Sequence, residues 1–401
     1  MKKTKKLLAL LLTLAMVFGM AACTSTTPSG ENTQTPAGNS STPSGTEETT
    51  PGGETEVKIP TELLAEDGSF EIAMITDKGD INDKSFNQGT WEGIVEYCQQ
   101  NGKTCKYYKP VDATTNDYVT AIEQAIADGA KVVVTPGYLF EEPVYLVQDN
   151  NPDVKFILID GNPHNADYSD YKTGDNTVGI LFSEEQAGYL AGYAAVKDGY
   201  TKLGFFGGQP VPAVIRYGYG YVQGANDAAA ELGITVEMRY FNTDGFDATP
   251  EAQTRAAGWY SSGTEIIFGC GGSVGNSVMA AAEQNNGLVI GVDVDQSPES
   301  DTVVSSAMKG LASAVEQMLD SYYNDNFSVG GQNLTLGAAE DAVQLPMATS
   351  KWKTFSEADY EALFTKLANG EITPQKDTDA DGNAIASPND LGCANVTVTV
   401  E

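Results

Sequence analysis

The sequence has a single histidine, His164, in 401 residues, which excludes any site built on two or three imidazoles. Its five cysteines include no Cys-x-x-Cys pair, which removes zinc ribbons and thioredoxin-type redox motifs. Positive charge is scarce: 23 Lys and Arg face 55 Asp and Glu, for a net charge of −32. Such a surface repels phosphate backbones, so nucleic acid is not an expected partner. Long apolar runs are missing as well; Leu7 to Met20 falls short of the roughly 20 residues that span a bilayer. No short-period repeat appears, which argues against a solenoid. What remains is a globular composition, 41% hydrophobic with 9% aromatic residues, and length enough for two domains.

Lys2, Lys3, Lys5 and Lys6 precede the apolar run, and Ala21-Ala22-Cys23 follows it. A basic start, a short apolar core and small residues before a break are the layout of a secretory signal, expected over residues 1–22. Met20-Ala21-Ala22-Cys23 also resembles the lipobox of bacterial lipoproteins, which makes Cys23 the expected lipidated (palmitate-bearing) residue. Residues 24–56 are almost wholly Ser, Thr, Pro, Gly, Asn and Glu and cannot bury a core. Residues 23–66 are therefore expected to be a disordered tether, with a random-coil reach of about 30 Å for the low-complexity stretch. The folded part is expected over residues 67–395.

From Ser69 short apolar runs alternate with amphipathic stretches. Expected strands are 70–76, 104–108, 131–135, 155–160, 177–182, 202–207, 236–242, 265–269 and 288–292. Expected helices are 85–100, 118–128, 184–197, 217–232, 250–262 and 276–284, with another opening at Leu311. Strands rich in Val, Ile and Phe separated by such helices read as βαβ units in parallel sheets. The fold class is α/β, with two doubly wound parallel-sheet lobes rather than one sheet. In such sheets ligands bind beyond the carboxyl ends of the strands.

The strand ends carry the candidates. Asp77 closes the first strand, and Ser85 can cap the helix that carries Phe86 and Asn87. Asp160 closes a buried Ile/Leu strand, a costly place for a carboxylate unless it is paired or faces a wet cleft. Phe246 lies between a strand and a helix, Asp293 follows the strand from Leu288, and Lys309 precedes the helix from Leu311. Each has a plainer alternative: Asp77 and Asp160 can start turns, and Phe86 can pack in a core. Together, two aromatics, several carboxylates and one lysine suit a flat, uncharged, hydroxyl-rich ligand.

Other motifs lead nowhere. Gly271-Gly272-Ser273-Val274-Gly275 matches the Gly-x-Ser-x-Gly elbow, but that triad needs a histidine after the serine and His164 precedes it. A glycine-rich loop whose N–H groups and helix N-terminus face a ligand fits better. Residues 377–383 copy the start of a calcium loop, but Pro388 occupies the place of the bidentate glutamate. His164 reads as a solvated loop residue, and Cys98 and Cys105 flank a turn across which they can pair. No catalytic residue, metal ligand or cofactor is expected.

The run ITDKGDINDKSFNQGTWEG, residues 75–93, resembles the signature of the basic membrane protein family of bacterial lipoproteins, similar to purine nucleoside receptors of ABC transporters. FILIDGN (156–162), VGILFSEEQAGYLAGYAA (178–195), RYGYGYVQGA (216–225), IGVDVDQ (290–296), SSAMKG (305–310) and LANGEITP (367–374) resemble it in the same order. The resemblance implies a fold like the type I periplasmic binding proteins, with two lobes joined by a hinge and a nucleoside, preferentially a purine, in the cleft. It implies delivery to an ABC permease by a monomer that is held extracytoplasmically on the cell membrane by its lipid. It further implies that Asp77 and Asn87 contact the ligand, that Phe86 and Phe246 sandwich the base, and that Asp160 bonds the base edge. Asp293 and Lys309 then hold the ribose hydroxyls, and Gly271 offers backbone contacts. Tyr217, Tyr219 and Tyr221 depart from the family pattern, and a tyrosine there is the alternative to Phe246. The alternative functions are a sugar or signalling ligand in the same fold, or a surface sensor or interaction lipoprotein.

Overall fold

The computed structural model describes residues 59–379 and 381–401; the expected signal segment, Cys23 and nearly all of the tether lie outside them. The strands are β1 (Glu62–Leu63), β2 (Ile72–Ile75), β3 (Cys105–Tyr108), β4 (Val132–Pro136), β5 (Lys155–Ile159), β6 (Thr177–Phe182), β7 (Lys202–Gly207), β8 (Val236–Asn242), β9 (Ile266–Cys270), β10 (Leu288–Asp293), β11 (Val303–Lys309), β12 (Asn333–Leu336), β13 (Val343–Gln344) and β14 (Val396–Val400). The α-helices are α1 (Phe86–Asn101), α2 (Thr115–Ala127), α3 (Glu141–Val147), α4 (Glu184–Lys197), α5 (Pro212–Leu232), α6 (Pro250–Ser261), α7 (Val274–Asn285), α8 (Leu311–Asn324) and α9 (Glu357–Ala368).

They form two seven-stranded sheets, ordered β1-β3-β2-β4-β5-β6-β12 and β13-β11-β10-β9-β7-β8-β14. Every pairing is parallel except β1 with β3 and β11 with β13. The apolar residues of the strands divide by the two-residue period. In the first lobe Ile72, Met74, Ile157 and Ile159 enter one core, while Ala73, Ile75, Phe156 and Leu158 enter the other. In the second lobe Phe205 and Phe268 face α4 and α5, and Phe206 and Ile267 face α6 and α7. Burying each of the Ile, Leu, Met and Phe side chains stabilises the fold by about 1.5–3 kcal/mol.

Among the described residues the chain passes between lobes three times: from β6 into α4, from β11 into α8, and from β12 to β13. The crossings lie side by side, for Ser183 N donates to Leu336 O at 2.9 Å and Gly310 N to Ala342 O at 2.8 Å. Helices α4 and α5 lie unusually close because glycines interleave. A Cβ at Gly188 or Gly192 would sit 2.1 Å from the carbonyl oxygen of Tyr217 or Tyr221, and one at Gly220 or Gly224 would meet α4 at 2.0 Å. The glycine spacing of GYLAGYAA and YGYGYVQGA is thus a packing code.

All nine expected strands are present, and the fold class is as expected: the protein is α/β with two doubly wound lobes. The folded unit is wider than the expected 67–395. β1 pairs with β3 ahead of residue 67, Trp91 Nε1 donates to Pro60 O at 2.9 Å, and β14 adds an edge strand beyond residue 395. His164 is not a solvated loop residue. It is 4% exposed, its ring stacked on Tyr168 at 4.1 Å and its Nε2 3.1 Å from Glu141 Oε2. Cys98, Cys105, Cys270 and Cys393 are free thiols.

Candidate ligand site

The carboxyl ends of β5, β9, β10 and β11 meet at a cavity of about 530 Å³ between the lobes. That volume is in the range of pockets for drug-sized ligands. Its first-lobe wall includes Phe86, Tyr138, Glu141, Asp160 and Asn162; its second-lobe wall includes Phe246, Gly271, Asp293 and Lys309.

The loop before α1 is built from carboxylates. Asp77 Oδ1 accepts from Gly79 N and from Asn87 Nδ2, both at 2.8 Å. Asp83 accepts from the N–H groups of Ser85, Asn87 and Gln88, so it satisfies the open end of α1. Burial nevertheless pushes Asp83 up to about 6 and also raises Asp77. Ser85, the expected cap, makes no capping bond; its Oγ donates instead to Asp293 Oδ2 at 2.6 Å, across the lobes.

Asp160 and Asp293 occupy equivalent places at the ends of central strands. Both have left-handed backbones, with φ of 58° and 66°. Aspartate tolerates that region better than most residues, at a cost of order 1–3 kcal/mol. Lys309, its side chain 2% exposed, pairs with Asp160 Oδ2 and lies 3.3 Å from Glu184 Oε1. Burial disfavours its charge, but Asp160 and Glu184 outweigh that and raise its pKa. Burial still pushes Asp160 up to about 6 despite the lysine, and its Oδ1 is buried without a partner. Arg216 Nε binds Glu184 Oε2 at 2.5 Å, and Nη1 lies 3.6 Å from Asp377 Oδ2. On the far wall Phe246 rests on glycines. A Cβ at Gly208 would sit 2.6 Å from its ring and one at Gly271 3.2 Å from it, and Gly271 also needs its φ of 136°.

The profile of the ABC transporter substrate-binding protein PnrA-like family matches residues 70–373. The chain belongs to this family. It is 30% identical over 326 residues to the ABC transporter nucleoside-binding protein BmpA of Lactococcus lactis, covering 75% of this chain and 88% of that one. It is 28% identical over 312 residues to basic membrane protein B of Borreliella burgdorferi, covering 75% and 86%. Among solved structures, an ABC transporter solute-binding protein from Aeropyrum pernix superposes with a TM-score of 0.65 at 22% identity, covering 78% of this chain and 95% of that one. One from Conexibacter woesei gives 0.62 at 23%, covering 77% and 99%. These two support the fold alone. The PnrA-like family is one of substrate-binding proteins of ABC transporters, not a class of enzymes.

Six of the eight residues singled out from the sequence line this family member's cavity: Phe86, Asp160, Phe246, Gly271, Asp293 and Lys309. Asp77 and Asn87 are not among the lining residues; bonded to each other, they brace the loop that carries Phe86. Of the three tyrosines on α5, Tyr217 reaches the cavity, Tyr219 donates to Ile385 O, and Tyr221 is fully buried. Sequence reasoning missed Tyr138, Glu141, Asn162, Tyr168, Tyr171, Arg216 and Asp377, which also line it. Tyr168 and Tyr171 are 62% and 58% exposed and lie after β5 on an irregular loop with no periodic signal. Asp377 sits inside the calcium-like run. Among the described residues no group of three His, Cys, Asp or Glu side chains is placed to hold a metal ion, and no helix is long and apolar enough to cross a membrane.

Proposed function

We propose that this chain is a lipid-anchored, extracytoplasmic binding protein that captures a nucleoside, preferentially a purine, and hands it to an ABC permease. Residues 1–22 direct export, Cys23 carries the lipid, and the Ser/Thr/Pro/Gly tether lets a monomeric two-lobed domain reach the permease from the membrane surface. Phe86 and Phe246 stack on the two faces of the base. Asp160 accepts from the base edge, Asp293 and Lys309 hold the ribose hydroxyls, and Gly271 contributes backbone contacts. Asp77 and Asn87 act by positioning Phe86. The protein performs no chemistry on its ligand.

The observation that carries this reading is that two aromatics from opposite lobes, Phe86 and Phe246, line one cavity with the strand-end carboxylates Asp160 and Asp293. The nucleoside binding in the name of the Lactococcus lactis relative supports it. Calorimetry of the mature domain with a nucleoside panel tests it. Stacking contributes about 1–3 kcal/mol per base, so Phe86→Ala with Phe246→Ala is expected to abolish measurable binding. No heat with any nucleoside, or an unchanged affinity in the double variant, overturns the proposal.

A further inference from the structure

The family match ends at residue 373, yet the chain continues as an arm that returns to the cavity. Gln375 and Gln223 exchange a reciprocal pair: Gln375 N donates to Gln223 Oε1 at 2.8 Å, and Gln223 Nε2 donates to Gln375 O at 2.9 Å. Tyr219 Oη donates to Ile385 O at 2.8 Å, and Ile385 N to Asp377 O at 2.8 Å. Two successive arm residues then meet opposite charges on α4 and α5: Lys376 lies 3.9 Å from Glu185, and Asp377 lies 3.6 Å from Arg216. Asp377 and Arg216 both line the cavity.

We infer that Asp377 is a specificity residue of this cavity, which by occupying the outer face of Arg216 makes the site reject anionic ligands such as phosphorylated nucleosides. The charges argue for it. The cavity is lined by two cations, Lys309 and Arg216, and by the carboxylates Glu141, Asp160, Asp293 and Asp377. Each cation already faces two carboxylates: Lys309 has Asp160 and Glu184, and Arg216 has Glu184 and Asp377. An entering phosphate must displace one of these or remain unpaired in a low-dielectric site. Glu184 is fully buried and pinned from both sides, and Asp160 is gripped by the buried Lys309, so Asp377, the most exposed of the three and 3.6 Å from its cation, is the displaceable partner. Its removal leaves one edge of a guanidinium fork open, the geometry that binds phosphate.

This inference rests on the nucleoside reading above, and the test separates the two. Adenosine, guanosine and inosine, with their 5′-monophosphates, are titrated into the unaltered chain, Asp377→Asn and Asp377→Glu, with the melting temperature of each variant as a check on folding. The unaltered chain and Asp377→Glu are expected to prefer the nucleoside by at least a hundredfold. Asp377→Asn is expected to gain at least tenfold for the monophosphate relative to the nucleoside. If nucleosides bind but that ratio is the same in Asp377→Asn, or if the unaltered chain binds both alike, the role of Asp377 is overturned and the nucleoside reading stands. If no nucleoside binds the unaltered chain, both fall together.

Discussion

The two lobes place an aspartate at the same point of the same kind of sheet, and secure it by different means. Asp160 ends its strand in the first lobe and is gripped by an ammonium from the second, Lys309. Asp293 ends its strand in the second lobe and is held by hydroxyls, Ser85 from the first lobe at 2.6 Å and Tyr217 at 3.4 Å. Each lobe thus holds the other's strand-end carboxylate. One clasp is ionic and the other is not. The ionic clasp is part of a buried chain, Asp160–Lys309–Glu184–Arg216–Asp377, that spans the crossings between lobes. The hydroxyl clasp can be exchanged for ligand hydroxyls at little electrostatic cost. The cleft therefore has one edge that resists change and one that yields.

The first way to break this comparison is Lys309→Met, which removes the ammonium from Asp160 and leaves Glu184 with Arg216 alone. Removing one member of a buried ion pair costs about 3–5 kcal/mol, the largest effect expected here, read as a lowered urea midpoint. Adding Asp160→Asn should recover part of the loss, because a neutral amide no longer needs the counter-charge. A loss below about 1 kcal/mol for Lys309→Met would mean that the two clasps do not differ in kind.

The ionic clasp was half legible in the sequence. Asp160 was visible because it ends an apolar strand, where a charge is costly, and Lys309 because it lies just before the helix from Leu311. Glu184 and Arg216 were not, since both sit in helical stretches where a charge ordinarily faces solvent. β11 escaped notice because Ser305 and Ser306 interrupt its apolar run. Its buried hydroxyls are satisfied by partners outside the strand, Ser350 Oγ for Ser305 and Gln296 N, from the segment ahead of β11, for Ser306. α5 starts at Pro212, five residues ahead of its expected start, with proline in the first-turn position that suits it. Most of the nine expected strands were legible because runs buried on both faces, such as β2, β4 and β9, leave few alternatives. Ser85 was misjudged as a cap because sequence spacing cannot show an acceptor 208 residues away.

Glu184 and Glu185 repeat the contrast within one helical turn. Burial opposes charge at both, but Arg216 and Lys309 hold Glu184 below its ordinary pKa. Glu185 has Lys376 at 3.9 Å and Arg216 farther off, and burial beside Glu184 still pushes it up to about 7. A carboxylate raised in the folded state contributes fully below its unfolded pKa of 4.5, and that contribution is lost as pH rises through about 7. Glu185→Gln should therefore raise stability by less than about 1 kcal/mol at pH 5 and by up to about 3 kcal/mol at pH 8, for a shift of this size. Melting curves at the two pH values check this; equal effects at both would show that Glu185 is ionised throughout.

The smallest effect belongs to the hydroxyl clasp, and it is the sharpest test because it predicts a ratio. Ser85→Ala removes one hydrogen bond to a carboxylate, worth about 1.5–3 kcal/mol, and leaves Asp293 with the longer bond from Tyr217. The urea midpoint should fall, but by less than for Lys309→Met. Asp293 is 6% exposed and borders the cavity, so a water or a ligand hydroxyl can take the vacated position. A bound nucleoside should consequently restore more stability to Ser85→Ala than it adds to the unaltered chain, measured as the difference in melting temperature with and without ligand. Lys309→Met should show no such rescue, because no neutral ligand supplies the missing charge. If ligand rescues both variants alike, the two strand ends are equivalent after all.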